Sequence, residues 1–246
     1  MAKQAGLAEL LLVDGTDISG DVGAVQSISA PSAVLDVTAI NVGAHERIYA
    51  HHDGALTYNH YFNDAVGAEF PTMKAKGAGA NRVVTYLHGS TIGNMAAGLV
   101  ALQLTFDWTR GTDGSLAGPT ECLGNGYGLE YCEQLTAGKR TDASATNGAS
   151  FDAGAATSLG LSAYLQVLAF SGTSVTAAIQ SSSDDGGGDA YAAITGGTFT
   201  AASAVGAQHI VTSLTQSVER YLRVVTTGTF SNAQFVVVAT RYPYNG

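Results

Sequence analysis

Apolar and polar side chains alternate with a period of two along most of the chain, the pattern of strands with one buried face. The clearest run sets Val100, Leu102, Leu104, Phe106 and Trp108 against Ala101, Gln103, Thr105 and Asp107. Leu56, Tyr58, His60 and Phe62 alternate in the same way with Thr57, Asn59 and Tyr61, and Leu35 and Val37 with Asp36 and Thr38 in a strand over 33–40. Leu10 and Leu12 open a first strand that stops at Asp14-Gly15, a strong turn pair. Further strands are predicted at 83–87, 116–123 and 130–135, with turns at 110–114 and 124–128 and a loop from Asn41 to His52. Only one segment has helical spacing. Val66, Phe70 and Met73 suggest a short helix within 65–76, stopped by Gly77 and either broken by Pro71 or starting near it.

Residues 137–149 are small and polar, which marks a linker or surface crossover. Alternation then resumes at 161–170, 174–181, 191–194, 208–212, 219–226 and 233–241, with turns at 184–189 and 227–228. The predicted organisation is a β domain over 1–137, a linker over 138–149 and a second β-sandwich, jelly-roll or immunoglobulin-like, over 150–246. The fold class is therefore mainly β, antiparallel, with one short helix.

Composition sharpens this picture. Of the 246 residues 46% are hydrophobic and only 13% are charged, about half the usual quarter. A monomer uses surface charge to stay soluble and to keep its sheet edges unpaired, so a chain this short of charge is expected to cover much of its surface with partners. The net charge of −9 is unevenly spread: 14 acidic and 6 basic residues in 1–137 give −8, and 6 acidic and 5 basic in 138–246 give −1. An acidic N-terminal half does not suit adhesive nucleic-acid binding, which needs cations on phosphates. It suits a surface that DNA passes without sticking. The N-terminal residues do not read as a signal peptide and no apolar run is long enough for a spanning helix, so the expectation is synthesis in a cytoplasm and no membrane partner.

Catalytic chemistry is hard to find. The sequence has no Gly-x-Ser-x-Gly elbow, Walker loop, His-Glu-x-x-His or Cys-x-x-Cys. His51-His52-Asp53, with His45 and His60 near in sequence, is the only histidine cluster, but adjacent strand residues point to opposite faces and Asp53-Gly54 is a turn pair. Asp184-Asp185-Gly186-Gly187-Gly188-Asp189 has carboxylates for a hard cation but lacks the downstream glutamate of an EF-hand and sits between strands, so a hairpin tip is expected. Cys122 and Cys132 flank the glycine-rich turn at 124–128 and are expected as free thiols. No catalytic residue, metal or cofactor is assigned.

Several pieces in order resemble the major tail proteins, or tail tube proteins, of long non-contractile-tailed bacteriophages, particularly those infecting actinobacteria. They are LLVDGTDISGD at 11–21, AVLDVTAI at 33–40 followed by HERI at 45–48, DGALT at 53–57, LVALQLTFDWTRGTDG at 99–114 and GNGYGLEYCEQLTAGKRT at 124–141. IQSSSDD at 179–185 and YLRVVTTGTF at 221–230 resemble the sandwich domain that many such proteins carry as a decoration. The resemblance implies a siphophage virion protein, not an enzyme. It implies homo-oligomeric, hexameric rings stacked into a tube, tape-measure and tail-end adaptor proteins as partners, and genomic DNA only in transit during ejection. It further implies that four strands (33–40, 55–62, 99–108 and 116–123) line the lumen, with Asp36, Asp107 and Glu121 as acidic lumen residues. The loop holding Asn41, His45, Glu46, Arg47, His51 and His52 would make the inter-ring contact. A head decoration or minor tail protein is the alternative in another structural role, and a host-glycan-binding module, mainly within 150–246, is the third reading.

Overall fold

The computed structural model describes residues 8–74 and 80–243. It is mainly β, 57% strand and 3% helical, and every strand pairing is antiparallel among the described residues. Leu10–Val13 (β1) turns through Asp14 and Gly15, with φ of 51° and 83°, into Thr16–Asp17 (β2). A 3-10 turn, Ser19–Asp21, leads into Val22–Ser29 (β3). Ser32–Asp36 (β4) and Arg47–His52 (β5) form a separate two-stranded hairpin, and Ala55–Tyr61 (β6) returns to the body. The one α-helix of the described residues is Glu69–Met73 (α1). Pro71 sits in its first turn, where the missing N–H has no intrahelical acceptor anyway. The predicted helix end at 75–76 and the Gly77 stop lie outside the described residues.

Arg82–Leu87 (β7), Met95–Phe106 (β8), Thr109–Arg110 (β9), Leu116–Gly124 (β10) and Glu130–Gln134 (β11) follow. The segment 124–128 differs from the expected hairpin. Ala101 lies between Arg82 and Gly124, and Gly98 between Thr85 and Glu130. Both β10 and β11 therefore run along the same edge of β8, end to end, and 125–129 is an excursion between them. Cys122 and Cys132 sit opposite Gln103 and Ala96 of β8, roughly 23 Å apart along the strand at its usual rise per residue. Both are buried free thiols.

Residues 138–149 are structured: Arg140–Asp142 (β12) and Asn147–Asp152 (β13) both pair with the final strand, Tyr221–Thr240 (β17). Ser162–Ser182 (β14), Ala192–Thr198 (β15) and Gly206–Val211 (β16) complete the chain. The four strands expected at 161–170, 174–181, 219–226 and 233–241 are two, β14 and β17, paired along nearly their whole length. Gly228 does not make a turn. It sits in mid-strand with φ 117° opposite Val175, beside three register shifts in β14 and near Gly172 with φ 149°. A Cβ at Gly228 would stand 2.3 Å from Ser174 O, and one at Gly172 2.4 Å from Phe230 Cα. Glycine here bends a continuous ribbon through a bulge rather than ending it.

The strands order as β15-β14-β17-β11-β8-β10-β6-β3 in one sheet path. Three apolar clusters pack against it. One lies in the second half, around Leu161, Ile179, Phe199, Leu222 and Phe235, with Leu135 joining it from the first. A second lies within the first half, around Leu11, Leu56, Tyr58, Met73, Leu99 and Leu129. The third joins Leu12, Leu87, Val100 and Cys132 to Tyr164, Val236 and Val238, so it draws on both halves. Each such fully buried large side chain contributes about 1.5–3 kcal/mol. No helix of the described residues is long and apolar enough to cross a membrane.

Candidate assembly surface

The register of β3, β6, β10 and β8 sorts their side chains into two faces. Across the strands, Ile28 faces Leu56, Leu56 faces Cys122 and Cys122 faces Gln103; the neighbouring inward row is Val25, Tyr58, Thr120 and Phe106. These rows sit on the first-half core. Between them runs the row Ser27, Thr57, Glu121 and Thr105, which points away from that core and is exposed or half-exposed. This outward row is thus made of hydroxyls and one carboxylate. β3 ends the sheet path and pairs only with β6 among the described residues, which leaves a strand edge available for another strand.

The strand 22–29 was not legible as one. Two register shifts, between Val22 and Ala24 and between Val25 and Ser27, space its core-facing residues as Val22, Val25 and Ile28. A period of three replaces the period of two that marks a strand. Of the four strands expected to share a wall, 55–62, 99–108 and 116–123 do so, with 22–29 as their fourth member. The strand at 33–40 instead belongs to the separate β4–β5 hairpin.

The expected site residues fall in two places. Glu121 lies in the outer wall row, and Asp107 is exposed just past the end of β8, where its N–H donates to Pro119 O at 3.2 Å. Asp36 lies on the hairpin. Its Oδ1 accepts from the Thr38 hydroxyl at 2.5 Å and N–H at 3.0 Å, and its Oδ2 meets His45 Nδ1 at 2.8 Å. The Thr38 bonds hold the Asp36 carboxyl below its usual range. Asn41, His45, Glu46, Arg47, His51 and His52 are all exposed on this hairpin, but the predicted loop is shorter than expected because 47–52 forms β5. Thr38 Oγ1 accepts from Glu46 N–H at 2.9 Å, and His52 Nδ1 meets Ser32 Oγ at 2.8 Å. The arm is therefore ordered by its own polar bonds while Val34, Leu35, Val37, Ile40, Ile48 and Tyr49 stand in solvent, Ile40 fully and Tyr49 at 78%. So large an exposed apolar surface on one small element marks an interaction site.

The histidines do not converge: His60 is buried on β6, apart from the exposed His45, His51 and His52. No group of three metal-ligating side chains occurs among the described residues. In the 184–189 turn, Asp184 accepts backbone N–H bonds from Gly187, Gly188 and Asp189, at 3.0, 2.5 and 3.1 Å. These bonds lower its pKa, so the carboxylate serves the turn itself.

Two buried glutamates escaped sequence reasoning. Glu69, fully buried on α1, meets among the described residues only Tyr58 Oη and His60 Nδ1, both at 3.5 Å, and its Oε2 has no hydrogen-bond partner among them. Burial, and secondarily the charge of Asp21, pushes its pKa up to about 8. Burial also lowers His60, whose Nδ1 meets Thr120 Oγ1 at 2.9 Å. Both groups are therefore neutral at pH 7, and their contact is not an ion pair. Glu130 on β11 is different: its Oε2 accepts from Ser162 Oγ at 2.5 Å and Tyr164 Oη at 2.8 Å, both on β14.

The fold is that of a mainly antiparallel β protein with an open-edged wall and an apolar arm. No protein-family model matches the chain, and none of the curated proteins matches it. Among solved structures it is similar to the Dit (gp 19.1) protein of SPP1, described as a paradigm of the hub adsorption apparatus in phages infecting Gram-positive bacteria. The identity is 11%, covering 94% of this chain and 98% of that one, with a TM-score of 0.30. It is also similar to chains of the phage P2 baseplate in its activated conformation. With Ca the figures are 12% identity, 97% and 100% coverage and a TM-score of 0.37; with Sr they are 10%, 95%, 99% and 0.35. At these values the likeness carries no argument about function.

Proposed function

We propose that the chain is a structural, non-enzymatic subunit of a phage tail that assembles with copies of itself into rings, with the rings stacking into a tube for DNA. The observation that carries this reading is the pairing of an open sheet edge with an exposed apolar arm on one low-charge subunit. The edge of β3 accepts a strand from the next copy, and repetition around a ring removes the free edge. The apolar arm, with Ile48 and Tyr49 exposed at 51% and 78%, docks on an adjacent copy. The wall row Ser27, Thr57, Glu121 and Thr105 faces the lumen, with Asp107 at its rim. Hydroxyls and carboxylates without cations give phosphates nothing to bind, and the negative field keeps DNA moving. Six copies per ring, tape-measure and tail-end adaptor neighbours, and a virion location complete the reading, which rests for these on the sequence resemblance.

Negative-stain microscopy of the purified protein tests it: rings or hollow tubes are expected, and Ile48→Asp with Tyr49→Asp should abolish them while leaving circular dichroism unchanged. Single rings that never stack would point to a minor tail role, and a monomer at all salt concentrations would sink the proposal. In assembled phage, Asp107→Lys with Glu121→Lys should slow DNA ejection and leave assembly intact.

A further inference from the structure

We propose that Glu130, Ser162, Tyr164 and His209 form a pH-sensitive latch between the two halves of the chain, closed while the His209 imidazole is neutral and opened when it takes up a proton. The four side chains come from three strands: Glu130 from β11, Ser162 and Tyr164 from β14, and His209 from β16. Ser162 and Glu130 are fully buried and the His209 side chain is 7% exposed. Ser162 has a single hydroxyl proton and gives it to Glu130 Oε2 at 2.5 Å, so its oxygen accepts at His209 Nε2, 2.8 Å away. That pattern assigns the neutral imidazole its proton on Nε2. Tyr164 gives Glu130 Oε2 a second bond, so every donor in the chain has an acceptor.

A further proton must go to Nδ1 and charge a ring held between two tyrosines. The His209 ring stacks on Tyr164 at 4.4 Å between centroids, and the Tyr127 ring, from the excursion 125–129, meets it edge-on at 4.6 Å. The groups facing the site are Tyr127, Glu130 and Cys132 from the β10–β11 side and Ser162 and Tyr164 from β14, with Val236 and Val238 of β17 packed behind Tyr164. Gly98 of β8 lies directly under Tyr164, where a Cβ would stand 2.3 Å from the ring. The Cys132 thiol is held well above its ordinary pKa by burial and stays neutral. The Glu130 carboxyl lies 3.9 Å from the imidazole, and its Oε2 already accepts from two hydroxyls.

Burial pushes His209 from 6.5 down to about 4. The sign follows from linkage: the open state, with a solvated imidazole, binds the proton more readily, so the closed state is fully favoured above pH 6.5 and loses ground as pH falls toward 4. The open-to-closed ratio rises by roughly 80-fold between pH 6.5 and 4 and approaches roughly 300-fold in total below that. The latch needs only the fold of one subunit and stands whether or not rings form.

The test is an NMR titration of the histidine rings in the full-length chain, with the His209 signal assigned by its loss in His209→Gln. A midpoint near 4 is expected, and one at or above 6.5 overturns the proposal. Hydrogen exchange, corrected for intrinsic rates, should rise together in β16 and in 125–129 between pH 7.5 and 5 in the native protein and stay flat in His209→Gln. No rise in the native protein, or the same rise in the variant, also overturns it. If the variant does not fold, exchange alone assigns the site: a rise confined to other segments rejects the latch.

Discussion

The core of the first half and the junction between the two halves each bury a glutamate near a histidine, and they solve the problem in opposite ways. Glu69 in the first half has one 3.5 Å hydroxyl contact and an unpartnered oxygen. It avoids the cost of a buried charge by staying protonated, with its pKa raised to about 8. Glu130 keeps two short hydroxyl bonds on one oxygen, the arrangement that makes a buried carboxylate tolerable. The number of donors, not depth, separates them, since both are essentially inaccessible. The Glu69 site is therefore weakened by alkali, and the Glu130 site, through His209, by acid.

The largest effect should come from Glu130→Ala, which strands the Ser162 and Tyr164 hydroxyls and is expected to cost about 3–5 kcal/mol in urea unfolding. A cost below about 1 kcal/mol would mean that the bonds to Glu130 are not a latch at all. Next in size and opposite in sign is Glu69→Gln. A carboxyl whose folded pKa is raised stabilises most below its unfolded value of 4.5 and loses that contribution as pH rises toward 8. Removing the titration should raise stability at pH 7 by roughly 3 kcal/mol and flatten the melting temperature between pH 5 and 8. A variant that melts lower than the native protein at pH 7 would reverse this half of the comparison. Tyr164→Phe deletes one of the two donors to Glu130 and should cost about 1–2 kcal/mol. Tyr58→Phe removes a 3.5 Å contact from Glu69 together with the hydroxyl's interaction with Thr120, and should cost about 1 kcal/mol or less. Equal costs for the two phenylalanine variants would erase the distinction drawn between the sites.

Neither glutamate was visible in the sequence, and β11 shows why. Its buried side carries Glu130, Cys132 and Gln134, while Tyr131 stands half in solvent, so reading apolar positions as inward reverses the strand. The same logic separates what was legible elsewhere. β6 and β10 keep a strict period of two and were readable, as were the Asp14-Gly15 turn and β8 apart from one bulge, which turns Gln103 and Phe106 to the same face. β3 was hidden because two bulges changed its period. Gly228 was misread because glycine marks a bulge and a turn alike, and only the cross-strand neighbours distinguish them. The wall residue Glu121 could be placed because its strand could. Asp36 was displaced from the wall with its strand, since nothing in an alternating run states which sheet it joins.

The β14–β17 ribbon has one further consequence. Its strands are 21 and 20 residues long, roughly 65–70 Å each at the usual rise. A tension applied along that axis loads the whole ladder in shear, so many hydrogen bonds must give way together, whereas the short β4–β5 arm can be peeled from one end. Resistance to pulling is set by the unfolding rate rather than by equilibrium stability. Under mechanical load the ribbon should be the last part of the subunit to yield and the arm the first.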